Sequence, residues 1–280
     1  MVKAGRLQGS GYAGMSTWRC PECGFVQGYL TMRASDGAIG ENRGPAIKLC
    51  PNDDTELYEM RIVEGISLPL GDTHFAEHLA KGPAFEGKGT YQFSKIERAL
   101  EVATRRGLAL DIGGHIGLWS RVLAASFSRV MAFEPLPALI PHFQINTEDC
   151  PNVELIECAV GAECDEVDLV VVADNSGNGH VAPAGVSGPC VYRTQMVTID
   201  SLNLHDVDFI KIDVEGFELP VIQGGQRTIQ RDRPVMVVEQ KPNNAERYGR
   251  GQFAAVDLLK SWGYVVAWER SGDFCLTCAI

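Results

Sequence analysis

From Leu108 onward, short apolar runs alternate with segments whose apolar positions recur every three or four residues. "LALDI" (108–112), "VMAFEP" (130–135), "VELIECAVG" (153–161), "DFIKIDV" (208–214) and "PVMVVEQ" (234–240) read as strands. "GLWSRVLAASF" (117–127), "ALIPHFQINTE" (138–148), "ELPVIQGGQRTIQ" (218–230) and "GQFAAVDLLKSWG" (251–263) read as helices. "VDLVVVAD" and "VYRTQMVTI" are β-rich and predict an inserted hairpin. "YVVAWER" and "DFCLTCAI", around the turn "SGD", predict a closing antiparallel hairpin that holds Cys275 and Cys278. Apolar strands separated by helices predict an α/β fold with a mostly parallel sheet covered on both faces.

The pattern weakens upstream. "DTHFAEHLA" predicts a helix capped by Asp72 or Thr73, with His74 and His78 read as surface residues. "KGPAFEGKGTYQF" is turn-rich, and "SKIERALEVATRRG" predicts a helix capped by Ser94 and ended by Gly107. Residues 61–95 therefore read as a connector, and 96–280 as the main domain. Residues 18–60 read as a separate small unit, with too little apolar material for its own core. Residues 1–17 read as a flexible tail.

The turn after the first of these strands carries chemistry. Asp111 is followed by Gly113, Gly114 and Gly117, at a strand end where open α/β sheets bind ligands. Gly113 permits a tight turn, and Gly114 and Gly117 permit close approach by ligand and helix. The spacing is not the G-x-G-x-x-G of dinucleotide enzymes, and an acid before the glycines would repel a pyrophosphate. Glu134 ends the next strand, 23 positions after Asp111, where a carboxylate can grip a ribose diol. Two such acids describe a nucleoside with a cationic amino-acid tail. S-adenosylmethionine fits, and NAD fits poorly. A nucleoside-binding oxidoreductase is therefore the weakest of the readings.

"LALDIGGHIGLWS…VMAFEP" resembles the first two motifs of class I S-adenosylmethionine-dependent methyltransferases. "VTIDSLNLHDVDFIKIDVEGFELPVIQGG" resembles the FkbM-type methyltransferase family. The resemblance runs from Leu108 to Gln240, about half the chain. It implies a Rossmann-like class I sheet. It also implies O-methylation of hydroxyls on sugars, polyketides or other small molecules. Where this fold meets the adenine ring, the chain has Cys158 and Ala159, with Cys158 as a packing contact.

Methyl transfer to a hydroxyl needs alignment of donor and acceptor and removal of a proton. Asp213, at the end of "IKIDV", is the first candidate for base or acceptor-orienting group. Glu215 and Glu239 lie at the same rim of the sheet. Glu218 reads equally well as a helix-start acid. His180, in the loop "DNSGNGHVAPAGVSG", reads as solvated.

Composition adds limits. The chain is 45% hydrophobic and 22% charged, with a net charge of −11, which argues against a chain-wide nucleic-acid surface. No run is long enough to cross a bilayer and none reads as a signal peptide, so the expectation is a cytoplasmic protein without a membrane partner. There are nine cysteines. "CPEC" and "CPND" resemble the two turns of a zinc ribbon, with Cys20, Cys23 and Cys50 as ligands and Asp53 in the place of a fourth cysteine, Asp54 or a distant residue being the alternatives. Such a ribbon can dock a protein or a nucleic acid. A second reading follows: an S-adenosylmethionine-sensing module that recruits a partner without turnover. The leading reading is an enzyme acting on a small-molecule or glycan acceptor.

Overall fold

A computed structural model describes residues 56–170, 176–183 and 191–278, together with strands at 12–19, 26–32 and 48–49. β1 (Tyr12–Arg19), β2 (Val26–Met32), β3 (Lys48–Leu49), β4 (Glu56–Val63) and β5 (Ile66–Pro69) form an antiparallel sheet in the order β2-β1-β4-β3, with β5 beside β4. β1 begins inside the segment expected to be a tail, because it pairs with both β2 and β4. Cys20, Cys23, Cys50 and Asp53 lie outside the described residues, and the zinc expectation lies there with them.

α1 (Thr73–Lys81) starts where the Asp72 carboxylate accepts the Phe75 N–H at 3.0 Å. A two-rung hairpin, β6 (Ala84–Phe85) with β7 (Lys88–Gly89), turns the chain back. α2 (Phe93–Val102) then begins after Gln92, not at Ser94, and stops short of Gly107.

The main domain opens with β8 (Leu108–Ile112), α3 (Leu118–Ala124), β9 (Arg129–Phe133), α4 (Ile140–Asn146) and β10 (Val153–Ile156). The expected strand over 153–161 is two strands. Its second part, β11 (Ala159–Val160), leaves the main sheet and pairs in parallel with β14 (Val191–Val197). β12 (Asp165–Val170) and β13 (His180–Val181) complete that smaller sheet, in the order β11-β14-β12-β13. β15 (Val207–Ile212) returns to the main sheet. The helix expected after it is broken at Gly225 into α5 (Glu218–Gly224) and α6 (Gln226–Asp232). Gly224 lies so close to the Gly161 carbonyl that a Cβ would overlap it. β16 (Val235–Glu239), α7 (Ala254–Ser261), β17 (Tyr264–Arg270) and β18 (Asp273–Cys278) finish the chain.

The main sheet runs β10-β9-β8-β15-β16-β18-β17. The first five strands are parallel, β18 runs antiparallel to β16, and β17 runs antiparallel to β18. Both faces are covered. Leu108, Leu110, Ile112, Ile210 and Ile212 meet α5, α6 and α7 on one side. Ala109 and Phe209 meet α2 and α3 on the other. The chain order reverses between β8 and β15, and there the strand ends open a crevice.

The connector is part of this body. Ile66, Leu68, Phe75 and Leu79 form a core with Ile116, Leu118, Leu136 and Leu139. The Asn146 side chain accepts the Ser67 N–H at 2.7 Å and donates to the carbonyls of Ser67 at 3.0 Å and Ile116 at 2.8 Å. Buried Arg121 donates to the Phe85 carbonyl at 2.9 Å. Among the described residues no helix is long and apolar enough to cross a membrane.

Candidate active site

A cavity of about 400 Å³ opens at the C-terminal ends of β8, β9, β15 and β16. Its floor is the turn after β8. Gly113 has φ +80 and a Cβ there would overlap the Asp213 carbonyl oxygen, so only glycine lets the two strand ends meet so closely. His115 is also left-handed, with φ +51. Its backbone N–H donates to Glu134 Oε2 at 2.8 Å, while the Leu136 N–H donates to Glu134 Oε1 at 2.9 Å. Each oxygen of Glu134 thus keeps one lone pair for a ligand. Burial pushes this acid up to about 7, against the pull of those two N–H groups.

Lys211 stands between two acids. It is 5% exposed. Its ammonium lies 3.1 Å from Asp111 Oδ1 and 4.0 Å from Asp213 Oδ2, and it donates to the Gly113 carbonyl at 2.7 Å. Burial favours the neutral amine, but Asp111 and Asp213 outweigh it and raise the pKa. The Ser120 hydroxyl donates to the second Asp111 oxygen at 2.6 Å.

Three carboxylates meet at the rim. Oxygens of Asp213, Glu215 and Glu239 all lie within 4.8 Å of one another, a spacing that can accept a divalent cation. Asp213 is the most open, with 27% of its side chain exposed, and it lines the cavity. Glu215 has φ +54 and accepts from Asn244 Nδ2 at 2.8 Å. Burial, then Asp213, raises its pKa. Glu239 is 1% exposed and ion-paired with Lys241 at 2.5 Å. Burial and Asp213 also push Glu239 upward, while Lys241 opposes them.

The sequence model of the methyltransferase FkbM domain matches residues 111–266. The chain belongs to the FkbM methyltransferase family. Methyltransferase 1 of Beauveria bassiana (strain ARSEF 2860) is 27% identical over 240 residues, which cover 75% of this chain and 93% of that one. Methyltransferase FkbM from Methylobacillus flagellatus KT is a similar solved structure. It has a TM-score of 0.41 and 18% identity over 61% of this chain and 44% of that one, so the present chain spans less than half its length. A SAM-dependent methyltransferase from Aquifex aeolicus aligns with a TM-score of 0.38 and 12% identity, over 65% and 89% of the two chains.

Within the FkbM domain, the structure brings most of the expected residues to one place. Gly113, Gly114, Glu134, Cys158, Ala159, Asp213 and Glu215 all line the cavity. Glu239 stands just behind Asp213 and Glu215. Two expectations are corrected. Asp111 is 0% exposed and does not reach the cavity, because its carboxylate is spent on Lys211 and Ser120. Gly117 shapes the start of α3 and is not a lining residue; its φ is +84, and a Cβ would press on Thr147 and Phe143. Glu218 is structural. It accepts the Gly216 N–H at 2.8 Å and the Val214 N–H at 3.3 Å, which closes the turn after Asp213.

Sequence reasoning missed Lys211. A lysine inside the apolar run "DFIKIDV" is the signal, because burial of an ammonium needs an acidic partner. It also read His74 as a plain surface residue, yet His74 lines the cavity with Phe75, Tyr91 and Gln92. All four precede the matched domain.

Proposed function

We propose that this FkbM-family protein transfers the methyl group of S-adenosylmethionine to a hydroxyl of a sugar or other small molecule. The observation that carries the reading is the position of Asp213. Its carboxylate lines the cavity beside the glycine turn, among two further acids. The donor half runs from Gly113 and Gly114 past Glu134 to Cys158 and Ala159. In that half Glu134 meets the ribose hydroxyls with its two remaining lone pairs. Asp213 takes the proton of the acceptor hydroxyl as the oxygen attacks the methyl carbon. The carbon–sulfur bond breaks, and a methyl ether and S-adenosylhomocysteine result. The Lys211 ammonium stands beside Asp213, and Asp111 holds Lys211.

The test is transfer of label from S-adenosylmethionine to a panel of hydroxyl compounds, followed as mass gain of one CH2. Asp213→Asn keeps the size of the side chain and removes its charge. The expected loss is about 10²–10⁴-fold in turnover, with donor binding retained. Equal turnover by the variant would remove Asp213 from the role of base.

A structural zinc on Cys20, Cys23, Cys50 and Asp53 remains part of the reading, supported by the Cys-Pro-x-ligand spacing of both turns. Elemental analysis of protein purified without chelator tests it, and protein free of zinc would refute it.

A further inference from the structure

We propose that the segment from Asp72 to Gln92, which precedes the matched methyltransferase domain, is the acceptor-recognition element, and that it selects a neutral hydroxylated ring. The ring lies against Phe75 and Tyr91, with one hydroxyl turned to Asp213. This rests on the donor assignment made above.

The cavity lining comes from two parts of the chain. The donor half is built by residues inside the matched region, 111–266. One stretch of wall is built by His74, Phe75, Tyr91 and Gln92, all outside it. That wall is a set of rings. Tyr91 meets Phe75 at 4.8 Å between ring centres, and His115 stacks on Phe75 at 4.7 Å and 29°. His74 meets Phe75 edge-on at 5.3 Å. Such a wall offers apolar faces with polar edges, which suits a flat ligand that also carries hydroxyls.

The wall is held rigidly. Asp72 fixes the first turn of α1. The Thr90 N–H and hydroxyl both donate to the Pro83 carbonyl, at 3.1 and 2.8 Å, and so return Tyr91 to α1. Gln92 has φ +56, a conformation that costs a non-glycine residue energy. Its side chain accepts from Trp119 Nε1 at 3.1 Å, which ties the corner to α3. A strained and tethered corner that delivers one aromatic side chain to a cavity is what a positioning element requires.

Charge narrows the class. Asp213 and Glu215 line the same cavity with Glu239 behind them, and the lysines that line it are paired, Lys211 with Asp111 and Lys241 with Glu239. A phosphate or carboxylate on the acceptor would meet net negative charge. Burial, together with Asp213 and Glu239, raises the Tyr91 pKa despite Lys241, so the phenol stays protonated and donates. In the transfer step Tyr91 donates to one lone pair of the acceptor oxygen, the other lone pair attacks the methyl carbon, and the proton goes to Asp213.

The experiment is ligand-observed NMR on the full chain saturated with S-adenosylhomocysteine. The probes are methyl β-glucopyranoside, catechol and phenyl phosphate. One neutral probe should bind through its ring face, and which one binds separates a sugar from a phenolic acceptor. Phenyl phosphate should bind more weakly than that probe. Phe75→Ala should weaken the neutral probe about tenfold. Tyr91→Phe, which keeps the ring and the packing, should weaken it about fivefold. Calorimetry should find S-adenosylhomocysteine binding unchanged in Tyr91→Phe. Tighter binding of phenyl phosphate, unchanged neutral-probe affinity in both variants, or no neutral probe bound by the donor-loaded parent would each overturn the proposal. A parent protein that fails to bind S-adenosylhomocysteine would instead overturn the donor assignment, and this inference with it.

Discussion

Lys211 and Asp111 are cross-strand neighbours in adjacent parallel strands, and their charged atoms lie 3.1 Å apart with both side chains buried. The sheet explains the pairing. Both residues sit near the carboxyl ends of β8 and β15, on the face shared by Ala109 and Phe209. The pair joins the glycine turn to the carboxylate rim, since Lys211 also binds the Gly113 carbonyl.

Breaking that pair leaves a buried charge. Lys211→Met leaves Asp111 with the Ser120 hydroxyl alone, and the expected loss of stability is about 3–5 kcal/mol in denaturant unfolding. Adding Asp111→Asn should return part of it. A single Lys211→Met change that costs less than about 1 kcal/mol would contradict this assignment.

The glycine turn gives a paired test. Gly113 and Gly87 are both left-handed, with φ +80 and +78. At Gly87 nothing lies within 4 Å of an added Cβ, whereas at Gly113 it would overlap the Asp213 carbonyl. Gly87→Ala should cost only the conformational strain, about 1–2 kcal/mol. Gly113→Ala should cost clearly more and should also impair donor binding. Thermal unfolding and calorimetry read both effects, and equal costs at the two positions would refute the close-contact argument.

Stability should depend on the ionisation of Glu134. Burial pushes its pKa from an ordinary 4.5 to about 7 in the folded chain. A raised folded pKa means that the folded state binds the proton more tightly than the unfolded state does. Its contribution is therefore full below about pH 4.5 and is lost as pH rises through about 7. Glu218, also raised to about 7 by burial, acts in the same direction. Glu134→Gln should flatten the fall in stability between about pH 5 and 8, whatever it does to the absolute value. Unfolding curves at several pH values decide it, and an unchanged slope would count against a buried, proton-holding Glu134.

Much of this was legible in the sequence. Strand–helix alternation predicted the main sheet, and strand-end positions predicted that Asp213, Glu215 and Glu239 converge. Three features were not legible, each for a physical reason. The Lys211–Asp111 pair depends on register between strands about a hundred residues apart, which periodicity within either strand does not encode. The run "VELIECAVG" looks like one strand because both halves are apolar, but the chain changes sheets between Ile156 and Ala159. The wall from α1 was hidden because Phe75 and Leu79 have the spacing of any amphipathic helix. Only the tertiary fold shows Phe75 and its neighbour His74 reaching the cavity.

Every step of the proposed reaction depends on the donor. Calorimetric titration of the full chain with S-adenosylhomocysteine, with NAD as the comparison ligand, measures it directly. The predicted result is one-to-one binding of S-adenosylhomocysteine and none of NAD. Glu134→Ala should weaken the former by about 1.5–3 kcal/mol for each charge-assisted hydrogen bond lost, roughly ten- to a hundredfold in Kd. Absence of binding, preference for NAD, or full affinity in Glu134→Ala would contradict it.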